Sequence, residues 1–219
     1  MTNSRIINAL AVATLVAAGW WLCDSLQPQP PAVDRRPHLA AGEALAAEAV
    51  RLLTPGAKLT VIARAATPFQ VPASAAQLEG FQRALKKNGT PIAALREYQL
   101  DPLRPVSVPP GDFFELMRRG QDNDVIVSFL GPPVLDGGQL AKLGAKRPRV
   151  LAMCSGAMPQ QVDLQRLFDQ QLLWAAVVSR NDAPVRKTAR SGQQAFDQMF
   201  RWITRDNLRE LADVAAPGR

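Results

Sequence analysis

The tightest constraint on this chain is a rhythm of five short apolar runs set between amphipathic stretches. The runs fall at residues 59–63 (Leu-Thr-Val-Ile-Ala), 91–98, 125–129, 150–153 and 173–178. Strands of a parallel sheet are covered on both faces, so they read as continuous apolar segments rather than as an alternation. Residues 74–88, 112–119, 138–143 and 162–170 carry helical patterns between the runs, and residues 191–203 carry one after the last. Strand–helix–strand units of this kind cross over with a right hand and stack helices on both faces of the sheet. The expected fold is a three-layer, doubly wound α/β domain with a five-stranded parallel sheet in the order 2-1-3-4-5.

Local signals support these boundaries. In residues 74–88, Leu78, Phe81 and Leu85 share one helical face, and Ser74 is the expected N-cap. Lys86 and Lys87 suit the carboxyl end of the helix dipole, and Gly89 suits the turn that stops it. Gly120 closes residues 112–119. Phe196, Met199, Phe200 and Ile203 line one side of the last predicted helix.

Ahead of this region, residues 6–23 hold no formal charge. A helix of that length covers about 27 Å, enough for a hydrocarbon core. Arg5 precedes the segment and Asp24 follows it, which keeps the amino terminus in the cytoplasm and carries the rest across the membrane. Trp20 and Trp21 fit an interfacial anchor at the far end. Two alternatives stay open: cleavage after the small residues Val16-Ala17-Ala18, and lipidation at Cys23. All three place the following domain outside the cytoplasm.

The chain thus divides into residues 1–26 as anchor or signal, 27–38 as a proline-rich spacer and 39–219 as the α/β domain. Four prolines in residues 27–37 favour an extended, semi-rigid linker. His38 reads as a solvated residue of that linker. A helix is expected from Leu39 to about Leu53, stopped by Thr54-Pro55-Gly56.

Composition removes several chemistries. One His and two Cys rule out a His/Cys zinc site and a disulfide scaffold, and no metal or cofactor is expected. Cys154 lacks a histidine base within the domain, so a buried, inert thiol is expected rather than a nucleophile. Gly131-Pro132-Pro133 and Asp136-Gly137-Gly138 lack the Lys-Ser/Thr of a phosphate loop. The net charge of +7 is spread along the chain, with concentrations at residues 142–149 and 186–190. No interleaved aromatics make a nucleic-acid platform, so an anionic lipid or an acidic envelope partner is the expected counterpart.

Several stretches resemble the amino-terminal lobe of type I periplasmic binding proteins. They are Thr67-Pro68-Phe69, then Glu79-Gly80-Phe81-Gln82-Arg83-Ala84-Leu85-Lys86-Lys87-Asn88-Gly89, then Asn123-Asp124-Val125-Ile126-Val127-Ser128, and Arg147-Pro148-Arg149-Val150-Leu151. The resemblance runs from about residue 59 to residue 179. Members of that family clamp a ligand between two such lobes, whereas 219 residues with an anchor accommodate one. The resemblance therefore implies a single lobe that pairs with another copy or a partner, or that has lost ligand binding.

In a doubly wound fold the loops after the strands hold the ligand. The candidate ligand-binding residues are Thr67, Phe69, Ser128, Gly131, Ser155, Arg180 and Asn181. Phe69 offers a flat face for a ring, the serines offer hydrogen bonds, and Arg180 offers a fork for an anion. Two non-enzymatic functions follow. The first is a membrane-tethered interaction module of the cell envelope, tied to a transport or secretion assembly. The alternative is a lobe that binds or senses a sugar or other metabolite.

Overall fold

A computed structural model describes residues 2–26, 33–66, 71–100, 106–180, 189 and 191–209. The chain divides into two compact units, Met1–Ala32 and Val33–Arg219. The first contains α1, Thr2–Leu26, whose residues 11–23 are exposed throughout. Among the described residues, no helix is long and apolar enough to cross a membrane.

The second unit opens with α2 (Arg35–Leu52) and β1 (Leu59–Arg64), then α3 (Pro72–Lys87) and β2 (Ala94–Tyr98). It continues with α4 (Pro110–Arg119), β3 (Val125–Ser128), α5 (Gly137–Lys142) and β4 (Arg149–Cys154). Two short helices, α6 (Met158–Gln161) and α7 (Leu164–Asp169), precede β5 (Ala175–Ser179), and α8 (Gly192–Met199) precedes β6 (Phe200–Thr204). One sheet of six strands runs in the order β2-β1-β3-β4-β5-β6. The first five strands are parallel, in the expected order, and β6 is antiparallel to β5.

Each sheet face has its own core. Val61, Val127, Leu151, Met153 and Val177 meet α2 and α3 through Leu45, Ala49 and Phe81. Ile62, Ile126, Val150, Ala152 and Val178 meet the opposite layer through Phe113, Met117 and Phe168. Burial on both faces is what the continuous apolar runs require.

The sixth strand corrects the expectation of a helix over residues 191–203. Ser191 caps α8 by accepting the Gln194 N–H at 3.2 Å, and the helix stops at Met199. Residues 200–204, rich in aromatic and β-branched side chains, then pair with the open edge of β5. The strand sends Phe200 into one core and Ile203 into the other, which a single helical face cannot do.

Three further expectations change. α2 begins at Arg35 rather than Leu39, because Asp34 accepts the Arg36 N–H at 3.0 Å and Pro37 is tolerated in a first turn. His38 is consequently no linker residue: it is buried at 7% exposure, with its ring 5.5 Å from that of Phe200. α3 begins at Pro72 with no side-chain cap, so Ser74 lies inside the helix. The helix expected over residues 162–170 starts afresh at Leu164, where Asp163 accepts the Arg166 N–H at 3.0 Å.

Candidate functional site

The sheet order places its switch point between β1 and β3, whose chains turn away to opposite sides there. A cavity of about 230 Å³ opens at this end, beside the carboxyl terminus of β1. Arg64, Ala65, Ser74, Leu78, Glu97 and Phe129 are among its lining residues. Its walls are mainly apolar, with a guanidinium, a carboxylate and a hydroxyl as the groups able to orient a ligand.

Strand register gathers the next candidates along the same edge. Ser128 at the end of β3 lies opposite Ile62 and Ala152, and it is fully buried. Its hydroxyl accepts the Leu130 N–H at 3.3 Å, which holds the turn leaving the strand. Gly131 follows in that turn with φ at +96°. A side chain there would sit 2.5 Å from the Met158 sulfur, so the turn needs a glycine for both backbone and space.

Beyond β4, Ser155 is exposed and Gly156 adopts a φ of +64°. The Gly156 N–H donates to the Ser179 hydroxyl at 3.2 Å, which ties the loops after β4 and β5 together. Arg180 follows β5, and its guanidinium donates to the Asp197 carbonyl at 3.1 Å while its backbone N–H donates to the Met199 carbonyl. The guanidinium is thereby steered toward α8. Thr67, Phe69 and Asn181 lie outside the described residues.

The structure therefore brings Ser128, Gly131, Ser155 and Arg180 to one edge of the sheet. Sequence reasoning missed Arg64, Ser74 and Glu97. Arg64 carried a usable signal, because a charged residue ending an apolar strand marks where the strand emerges from the core. Glu97 gave none, since it lies in a strand that is exposed over most of its length.

Reactive groups at this edge are muted. Cys154 ends β4 with no exposed surface, and burial pushes its thiol up to about 12. Tyr98 ends β2, where burial and then the neighbouring Asp112 carboxylate raise its phenol above the ordinary value. Among the described residues no group of His, Cys, Asp and Glu is placed to hold a metal ion.

No family model matches this sequence, and no curated protein matches it by sequence. Solved structures do match the fold. A carbohydrate transporter solute-binding protein from Agrobacterium radiobacter, solved in complex with D-arabinose, superposes with a TM-score of 0.51 at 12% identity over 84% of this chain and 64% of that protein. A Bacteroides fragilis protein assigned as a LacI transcriptional regulator gives 0.50 at 10% identity, over 79% of this chain and 61% of that one. A periplasmic ribose ABC transporter structure from Conexibacter woesei gives 0.50 at 9% identity, over 81% and 60% of the two chains.

At such identities the likeness shows the fold: an α/β lobe of the type I periplasmic binding protein kind. This chain spans about 60% of the length of the structures it matches.

Proposed function

We propose that this chain is an extracytoplasmic binding lobe that takes a small polar ligand, of the sugar or metabolite class, at the carboxyl ends of β1, β3, β4 and β5. The observation that carries the reading is the cavity at the switch point, where Arg64, Ser74 and Glu97 converge on an otherwise apolar wall. In doubly wound sheets this is where ligands enter. The solute-binding protein of the same fold that was solved with D-arabinose supports a sugar as the first class to test.

Ser155 and Arg180 extend the site across the sheet, and Gly131 sets the turn after β3. Thr67, Phe69 and Asn181, which lie outside the described residues, are assigned to the same site from their sequence positions alone. The described residues build one wall of such a crevice, and the facing wall comes from a second copy or another protein. The lobe is held at the outer face of a membrane by residues 6–23, whose uncharged sequence and exposed Val12, Leu15, Val16, Trp20 and Trp21 call for an apolar cover. Its role is binding and signalling or delivery, without catalysis.

A thermal-shift screen of the full chain over sugars, nucleosides and amino acids tests this. A ligand at 100 times its Kd stabilises the fold by about 2.7 kcal/mol. The shift should disappear in Arg64→Ala and shrink in Ser155→Ala. A screen without a hit, or a hit indifferent to both variants, rejects the site.

A further inference from the structure

We infer that the opposite end of the sheet carries a second binding site, for a small aromatic ring bearing one carboxylate. A cavity of about 570 Å³ opens there, within the range of small-molecule sites. It lies where β4 and β5 begin and β6 ends, so it is separate from the crevice at the carboxyl ends of the parallel strands.

Its walls combine flat apolar surface with fixed charge. Trp174, immediately before β5, is 44% exposed, which is unusual for so large an aromatic side chain in a folded unit. Its indole N–H donates to a Glu48 carboxylate oxygen at 3.2 Å, and the Arg149 guanidinium carbon lies 5.2 Å from its ring centre. Trp202 of β6 lines the same cavity and is half-buried. Indole faces of this kind stack against aromatic rings at low entropic cost.

The carboxylate seat follows from which guanidinium groups are already committed. Arg51 donates two bonds to Glu48, and Arg147 donates to the carbonyls of Gly144 and Gln170. The Arg149 guanidinium makes one hydrogen bond among the described residues, at 3.2 Å to the Leu52 carbonyl, although the residue is half-buried and held against Trp174. Its other guanidinium N–H groups have no acceptor among the described residues, and a carboxylate accepts two parallel bonds from such a fork. Arg205 also lines the cavity, and its ion pair with Asp169, at 3.6 Å, is longer than a hydrogen bond.

Charge sets the valence of the ligand. Four guanidinium groups and three carboxylates line the cavity, and the Asp169 carboxylate paired with Arg205 stands beside them. Asp122 and Asp206 are exposed on its rim and repel a ligand of higher negative charge. The Arg149 fork matches a single carboxylate, and the rim carboxylates disfavour a second.

The test is titration of the full chain with benzoate and 2-naphthoate, read by calorimetry and by tryptophan fluorescence in a Trp20→Phe/Trp21→Phe background. Saturable binding of one molecule per chain is expected. Benzamide and 2-naphthamide should bind at least about tenfold more weakly, because charge-assisted hydrogen bonds outweigh neutral ones. Glucuronate, which has the charge without the aromatic ring, should not compete. Arg149→Gln should lower the affinity about 10- to 100-fold. If that variant does not fold, Arg205→Gln and Trp202→Leu carry the same test, each with an expected loss of about fivefold or more. Absence of saturable binding up to about 10 mM, equal affinity for acid and amide, or unchanged affinity in the variants that fold would overturn the assignment.

Discussion

His38 Nδ1 lies 3.2 Å from Gln77 Nε2, and this contact joins the first turn of α2 to the middle of α3. Both side chains are buried, at 7% and 3% exposure. The Gln77 amide donates, so the ring is neutral with Nδ1 as acceptor. The imidazole also packs against the ring of Phe200 in β6 in a T-shaped arrangement, with the planes at 68°. One histidine therefore connects the helix layer to the strand that closes the sheet.

Protonating His38 would set an N–H against the Gln77 amide and place a charge in an apolar site. Burial lowers its pKa below the ordinary value of 6.5, and the nearby Asp34 offsets only part of that. The unfolded chain consequently takes up its proton at a higher pH than the folded one. Stability contributed by neutral His38 is complete above about pH 7 and is lost as pH falls through about 6.5 toward the folded value. Urea unfolding followed from pH 8 to pH 5 should show this decline, and His38→Gln should flatten it. An unchanged slope in that variant would assign the decline to other groups.

The same helix pair depends on two glycines. A β-carbon on Gly42 would lie 1.9 Å from the Gln77 carbonyl oxygen, and one on Gly80 would lie 2.2 Å from the Leu39 carbonyl oxygen. In each case the obstacle is backbone, so no rotamer change relieves it. Gly42→Ala and Gly80→Ala should each cost about 3 kcal/mol or more, at the upper end of overpacking effects. Chemical denaturation measures the loss, and a cost below about 0.5 kcal/mol would mean the helices can separate freely.

Cys154 and Cys23 should differ sharply toward thiol reagents. Cys23 is exposed, whereas Cys154 is buried with its thiol pushed up to about 12. At pH 8 only about one Cys154 in ten thousand is a thiolate, and even that one is shielded from reagent. A disulfide reagent should label one thiol per chain in the native protein and two in denaturant. Labelling of Cys154 under native conditions would reopen a nucleophilic role for it.

The parallel sheet was legible because burial on both faces leaves an unbroken apolar run, as in Val125–Ser128 and Arg149–Cys154. The β5–β6 edge was not, because Phe196, Phe200 and Ile203 fit a helical spacing, and only pairing with β5 decides for a strand. His38 was misread for a related reason: the prolines around it suggested a spacer, while its burial depends on Gln77 and Phe200, which are 39 and 162 residues away. At the site, loop positions such as Ser155 and Gly131 followed from the fold alone. Arg64, Glu97 and the Trp174–Arg149 pair depend on where strands begin and end relative to neighbours, which no local pattern encodes.

Gly131 links stability to the proposed ligand edge. Its φ of +96° is costly for any residue with a side chain, and an added methyl would also displace the Met158 thioether. Met158 is flexible enough to move, but the backbone strain remains. Gly131→Ala should therefore destabilise the lobe by about 1–3 kcal/mol. It should also weaken any ligand found at the carboxyl ends of the strands, since the turn carrying Gly131 follows directly from Ser128 and Phe129. Met158→Ala in the same background removes the steric part alone, so it should recover a fraction of the stability and leave the rest. Full recovery would show that crowding, rather than backbone conformation, holds glycine at this position.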